Sequence, residues 1–186
     1  ETESPGNIDS LLRNRIRPVE AATASFGQGI TVTPLQMITA YAAIANDGIM
    51  MKPYIVKEIV HDDGSKFETR PIQIRRVVSE RAAAITLGMM ANVVEGGHAK
   101  LAAVDGYYVG GKTGTAQVAS EDEKGYSEKD TIHNFIGLAP VNDPKFVMLV
   151  KLNKPKIDGY SASTAAPLFG EIAEFILNYY KIPKER

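Results

Sequence analysis

Seven consecutive residues, Gly110-Gly111-Lys112-Thr113-Gly114-Thr115-Ala116, concentrate the chemistry of this 186-residue sequence. A cation, two hydroxyls and residues without side chains alternate there along an expected strand. Successive side chains of a regular strand point to opposite faces, so Lys112 and Gly114 share one face and Thr113 and Thr115 the other. Lys112 offers a fixed positive charge, and the threonine hydroxyls can bind a carboxylate. Gly114 permits close approach of another backbone. If the strand lies at a sheet edge, its exposed N–H groups could hold an oxyanion, the kind of stabilisation that is usually largest in catalysis. Alone, Lys-Thr-Gly is a weak signal, because the same residues suit an ordinary turn and strand.

Other candidates carry less. His61, His98 and His133 stand apart in the sequence without the spacing of a metal site, so no metal is expected. Gly27-Gln28-Gly29 lacks the preceding strand and third glycine of a dinucleotide loop, and no Walker A pattern occurs. Asp105 and Asp143 sit in turn-forming contexts that account for them better than acid–base catalysis does. Arg13, Arg15 and Arg17 read as a solvated face, not a phosphate site. With no cysteine, disulfides, thiolate metal sites and a cysteine nucleophile are excluded.

Composition narrows the classes further. Hydrophobic residues make up 44% and charged residues 23%, as in ordinary globular domains, which argues against a disordered tail or a collagen-like fibre. The 21 Lys+Arg and 22 Asp+Glu leave a net charge of −1, so nothing suggests nucleic acid. No apolar run approaches the ~20 residues of a membrane helix, and no signal peptide is read at the start.

The elements that must position the Lys-Thr-Gly strand follow from periodicity and caps. Residues 1–22 read as an irregular lead-in with one short helical turn at 8–13. A helix is expected over 33–46, with Thr33 as N-cap, Pro34 at the first position and Gln36 completing a capping box. Its buried stripe would be Met37, Ile38, Tyr41, Ile44 and Ala45. Residues 54–60 and 66–70 flank Asp62-Asp63-Gly64-Ser65 as a hairpin, forming a small lobe at about 53–75. A second helix opens at Ser79, with Ala82, Ile85, Met89 and Val93 facing the core and Gly96-Gly97 ending it. Residues 112–118 form the strand already described, and 119–131 a polar loop. A second hairpin joins 134–139 to 145–152, and its apolar run 146–150 implies a strand buried on both faces. The last helix starts near Ser163 or Thr164, buries Leu168, Phe169, Ile172, Phe175, Ile176 and Tyr179, and stops at Pro183.

Four segments together carry a resemblance. They are Phe26-Gly-Gln-Gly-Ile-Thr-Val-Thr-Pro-Leu-Gln36 with Ala40-Tyr41 and Ile44-Ala-Asn46; Val94-Glu-Gly-Gly97 before Gly111-Lys-Thr-Gly-Thr-Ala-Gln117; Asn134-Phe-Ile-Gly-Leu-Ala-Pro140 with Asn142-Asp-Pro-Lys145; and Ala165-Ala-Pro-Leu-Phe169. In this order the chain resembles the C-terminal part of a penicillin-binding protein transpeptidase domain, most closely the class B branch, over roughly residues 23–186. The resemblance implies an α/β (α+β) fold of the serine-transpeptidase and β-lactamase type, an antiparallel sheet flanked by helices. It implies a peptidoglycan D,D-transpeptidase that also binds β-lactams, without a cofactor. Lys112 would supply electrostatic help, and Thr113 and Thr115 would bind the terminal carboxylate of a stem peptide or β-lactam. The N–H of Thr115 would be one oxyanion donor, with Gly114 leaving room for the substrate.

One departure from the family pattern matters. The family uses Ser-x-x-Lys, Ser-x-Asn and Lys-Thr-Gly, and this sequence holds only the third. Ser25 and Ser120 lie near the retained motifs, yet neither has a lysine or histidine at a suitable spacing. The expectation is therefore a section that lacks the nucleophile and is inactive alone. A serine β-lactamase and a non-catalytic β-lactam sensor domain are the alternatives. The resemblance further implies the extracytoplasmic face of the bacterial membrane, an anchor outside these residues, and divisome or elongasome partners. Apolar surface left without cover would favour self-association.

Overall fold

The computed structural model describes residues 6–119, 126–157 and 159–186. A 3-10 turn, Asp9–Leu11, takes the place of the expected short helical turn. The lead-in is more regular than its polarity suggests, because helix α1 spans Pro18–Ser25. Proline pre-sets the helical φ at the first position. The Glu20 carboxylate accepts from the Arg17 N–H at 3.3 Å and pairs with the Arg17 guanidinium at 2.5 Å. The hydrogen bond from the Arg17 guanidinium is the chief reason the Glu20 carboxyl is held below its ordinary range.

Helix α2, Pro34–Ala45, has the expected capping box: Gln36 N–H donates to Thr33 Oγ1 at 3.1 Å, and Thr33 N–H donates to Gln36 Oε1 at 2.9 Å. Its expected stripe is only half-buried, and Ala43 is the buried residue. The reason is position: Met37 and Tyr41 border a groove instead of entering a core. Partial burial still pushes the Tyr41 phenol up.

Beyond α2 lies the small lobe. Strand β1, Ile49–Met51, pairs antiparallel with β4, Gln73–Arg76, and β2, Glu58–Val60, with β3, Lys66–Glu68. The second pair is the expected hairpin; the first was not anticipated, since three apolar residues show no alternation. Every residue of β2, β3 and β4 is exposed.

Helix α3, Glu80–Glu95, is capped by Ser79, which accepts from Ala82 N–H at 3.2 Å. Of the expected core residues Val93 packs against the core, but the buried centre of the helix face lies one residue, about 100°, from the expected one. Ala83, Met90 and Val94 are buried, whereas Ile85 is 49% and Met89 63% exposed. Packing on β5, Gly110–Ala119, decides this: a Cβ at Gly110 would fall 3.3 Å from that of Met90.

Strands β5, β6 (Tyr126–Ala139) and β7 (Phe146–Asn153) form an antiparallel sheet in the order β5-β6-β7. Residues 126–131, expected as loop, extend β6, with Gln117 opposite Thr131. The sequence of residues 126–131, YSEKDT, holds no apolar alternation to mark it as a strand; residues 120–125, including Ser120, lie outside the described residues. In β7 only Val150 is buried, and Phe146 to Leu149 are half-buried, because β7 is an outer strand of this sheet. Helices do approach from both sides: Phe146, Met148 and Leu152 pack towards the core that includes helix α4 (Ala165–Tyr179), while Leu149 and Lys151 border the groove beside α2.

Helix α4, Ala165–Tyr179, buries Ala165, Ala166, Phe169, Gly170, Ala173 and Leu177. Of the expected residues Phe169 is buried and Ile176 half-buried; Leu168, Ile172, Phe175 and Tyr179 form an exposed stripe. Small residues let the helix settle close to the sheet, and that contact outweighs the larger side chains on the other stripe. Phe169 meets Phe135 of β6 edge to face at 4.8 Å between ring centres.

The chain end straps the turn that feeds β5. Tyr107 Oη donates to Ile182 O at 2.5 Å, Lys184 pairs with Asp105 at 2.8 Å, and Glu185 Oε2 accepts from Tyr108 N–H at 2.9 Å. Arg186 grips Glu95 with two bonds of 2.6 and 2.9 Å and lies 4.5 Å over the Tyr108 ring. Among the described residues, no helix is long and apolar enough to cross a membrane.

Candidate active site

Among the described residues β5 is an outer strand of its sheet, with one of its long edges paired, to β6. Register places Lys112 opposite Ile136 and Gly114 opposite Asn134, with Thr113 opposite Phe135 and Thr115 opposite His133. Directly opposed residues share a face, so the sequence-expected division of the motif between two faces holds. Gly111 is required by the same pairing: a Cβ there would fall 2.3 Å from Phe135 Cζ.

Polar groups brace the threonine face. His98, at the turn after α3, places Nε2 2.8 Å from Thr113 Oγ1. Ser161, in the 3-10 turn Ser161–Ser163 before α4, is fully buried, and its Oγ lies 2.7 Å from Thr115 Oγ1. His133 is also fully buried, with Thr164 Oγ1 2.8 Å from Nδ1 and Thr131 Oγ1 3.0 Å from Nε2. Buried polar groups need such partners, since each unmet one costs about 1–3 kcal/mol. No described buried side-chain nitrogen or oxygen lacks one.

The other side is open. Lys112 is exposed, and its ammonium donates to the Thr113 carbonyl at 2.8 Å, leaving further donors available. A groove of about 1250 Å³ runs from β5 across β6 and β7 to residues 25–41. Phe26, Gln28, Met37 and Tyr41 line its far wall. Its charged lining residues are Lys112 and Lys151, with no Asp or Glu, among the described residues. Two ammonium groups in a groove without carboxylates suit an anionic ligand.

All four residues singled out from the sequence, Lys112, Thr113, Gly114 and Thr115, border this groove. His98, His133, Ser161 and Thr164 were missed as their supports. Both histidines look isolated in sequence because Thr113, the partner of His98, and Thr164, one partner of His133, come from other elements. The second partner of His133, Thr131, lies on its own strand. Thr164 is expected only as a start of the last helix, and Ser161 carries no local signal of its own. Among the described residues no group of three His, Cys, Asp or Glu is placed to hold a metal.

Comparison with known proteins agrees with this geometry. Residues 1–174 match the family described as the penicillin binding protein transpeptidase domain. Stage V sporulation protein D of Bacillus subtilis is 40% identical over 161 residues, covering 85% of this chain and 25% of that protein. A peptidoglycan D,D-transpeptidase FtsI homolog of Mesostigma viride is 31% identical over 201 residues, covering 98% of this chain and 33% of that protein. The crystal structure of penicillin binding protein 3 from Mycobacterium tuberculosis complexed with aztreonam superposes with a TM-score of 0.80 at 37% identity, covering 89% of this chain and 39% of that one. The chain thus spans a quarter to a third of the length of these two curated relatives.

Proposed function

This chain belongs to the penicillin-binding protein transpeptidase domain family, and on that premise we propose that it forms one wall of a class B peptidoglycan D,D-transpeptidase active site. The observation that carries the proposal is the outer position of β5, unpaired on its second edge among the described residues, with Lys112 bordering a groove whose charged lining among those residues is lysine alone. A stem peptide ending in a carboxylate would lie along that edge. Lys112 would supply the positive field, and the hydroxyls of Thr113 and Thr115 would exchange their internal partners for the terminal carboxylate.

The nucleophile is assigned to a serine outside these 186 residues, since the sequence holds no Ser-x-x-Lys. Its oxygen would bond to the penultimate D-alanine carbonyl carbon, and the tetrahedral oxyanion would rest on the Thr115 N–H and the serine's own N–H. The carbon–nitrogen bond then breaks, D-alanine leaves as the amine after taking a proton, and an acyl-enzyme remains. The amine of a second strand displaces the serine to complete the cross-link. β-Lactams would follow the first half of this course, their ring amide standing for the scissile bond. As for the family, the work would lie on the extracytoplasmic face of the membrane, alongside division or elongation proteins. Separated from the remainder of the domain, the chain would self-associate through uncovered apolar surface such as the α4 stripe.

Fluorescent penicillin tests the assignment. The complete domain containing these residues is expected to label covalently and this chain alone to remain unlabelled. A stable adduct mapping to a serine within the chain would overturn it.

A further inference from the structure

We infer that Ser161 is a positioning residue that aims the oxyanion donor of Thr115 by holding the carbonyl of Gly114. The inference rests on the transpeptidase reading above, which gives the Thr115 N–H its role. Ser161 Oγ donates to Gly114 O at 2.6 Å and accepts from Asn134 N–H at 3.2 Å, so one hydroxyl joins β5 to β6. Its single proton is committed to Gly114, which makes the Thr115 hydroxyl the donor in their 2.7 Å contact. Ser161 N–H in turn donates to Thr115 Oγ1 at 3.2 Å. Ser161 itself is fully buried, so its end of each bond is shielded from solvent.

Peptide geometry carries this restraint to the groove. The Gly114–Thr115 unit is planar and trans, so the Gly114 oxygen and the Thr115 amide hydrogen point in opposite directions. Turning the carbonyl towards Ser161 and Asn134 therefore aims the Thr115 N–H at the unpaired edge. The Lys112 ammonium on the Thr113 carbonyl agrees with this alternation, because that carbonyl also belongs to the free edge. Gly114 has no side chain to pack; even an added Cβ would meet nothing nearer than Asn134 Cβ at 3.8 Å. Ser161 supplies the fixation that a side chain would otherwise give. A hydrogen bond on the carbonyl also polarises the amide, making its N–H a stronger donor.

The test uses the complete transpeptidase domain, with a β-lactam acylated under single-turnover conditions. Ser161→Ala should lower the acylation rate constant about 10-fold, less than outright loss of an oxyanion donor, while the non-covalent dissociation constant stays within about twofold. The acyl-enzyme ester carbonyl should absorb at higher infrared frequency, as its hydrogen bonding weakens. Ser161→Cys, close in shape but a weaker donor, should move both readouts in the same direction and covers the case in which the alanine variant does not fold. Unchanged acylation and carbonyl frequency in a folded variant would defeat the role given to Ser161. A wild-type domain that is never acylated would instead defeat the functional reading itself.

Discussion

The edge of β5 that meets β6 is closed by buried groups: Ser161 joins Gly114 to Asn134, and Phe135 packs where Gly111 leaves space. Its other edge is unpaired among the described residues, and on the adjoining face the exposed Lys112 borders a groove of about 1250 Å³ that runs over β6 and β7. Neither edge would serve in the other's place. An N–H that must receive charge as it develops cannot be spent on a neighbouring strand, yet it needs a fixed direction. The closed edge supplies that direction through the backbone, and fixed donors need no reorganisation during reaction. The small lobe gives a second contrast: β2, β3 and β4 are exposed and only β1 is half-buried among its strands, so little of its packing bears on β5.

Breaking the closed side should have the largest effect. Phe169→Ala removes a fully buried ring and its 4.8 Å contact with Phe135, and should cost about 3–5 kcal/mol in urea unfolding of the complete domain. The far wall of the groove should respond less. Thr33→Ala loses half of the α2 capping box and should cost about 1 kcal/mol by the same measurement. In the lobe, Phe67 is 59% exposed, and Phe67→Ala should stay within about 0.5 kcal/mol. A cost near that of Phe169→Ala would mean that the lobe and the sheet share one cooperative core.

The smallest effect is expected at the terminal strap, whose charged partners are open to solvent. Lys184 holds the Asp105 carboxyl below its ordinary range, chiefly by their hydrogen bond. That contribution is whole above the ordinary carboxylate pKa and is lost as pH falls through the lowered one, which places the loss below about pH 4. The same bond raises the Lys184 pKa, so its share is whole below the ordinary lysine pKa and disappears only as pH rises through the raised one. Asp105→Asn should flatten the acid limb of the stability–pH curve slightly, and 1 M salt should erase most of the difference.

These contrasts mark what a sequence can reveal. The Thr33 box and the Ser79 cap were legible because a cap is satisfied within three residues. Lys112, Thr113, Gly114 and Thr115 were legible because the motif is contiguous and lies on one strand. The buried faces of α3 and α4 were not, since each helix offers two apolar stripes. Close contact with the sheet favoured the smaller one, leaving Met89 and Phe175 outside. His98 and Ser161 gave no signal either: Thr113 lies 15 residues from the first and Thr115 46 from the second. Only folding supplies those pairings.

The central claim is that the open edge of β5 is where the substrate's charge is met. The most direct measurement is the second-order acylation rate of the complete domain by a β-lactam, wild type against Lys112→Ala, with melting temperatures recorded together. Lys112 is exposed and outside the buried core, so the account predicts an unchanged melting temperature and a loss of about 100-fold, on the scale of removing one preorganised charge-stabilising group. A folded Lys112→Ala domain that acylates at the wild-type rate would contradict it.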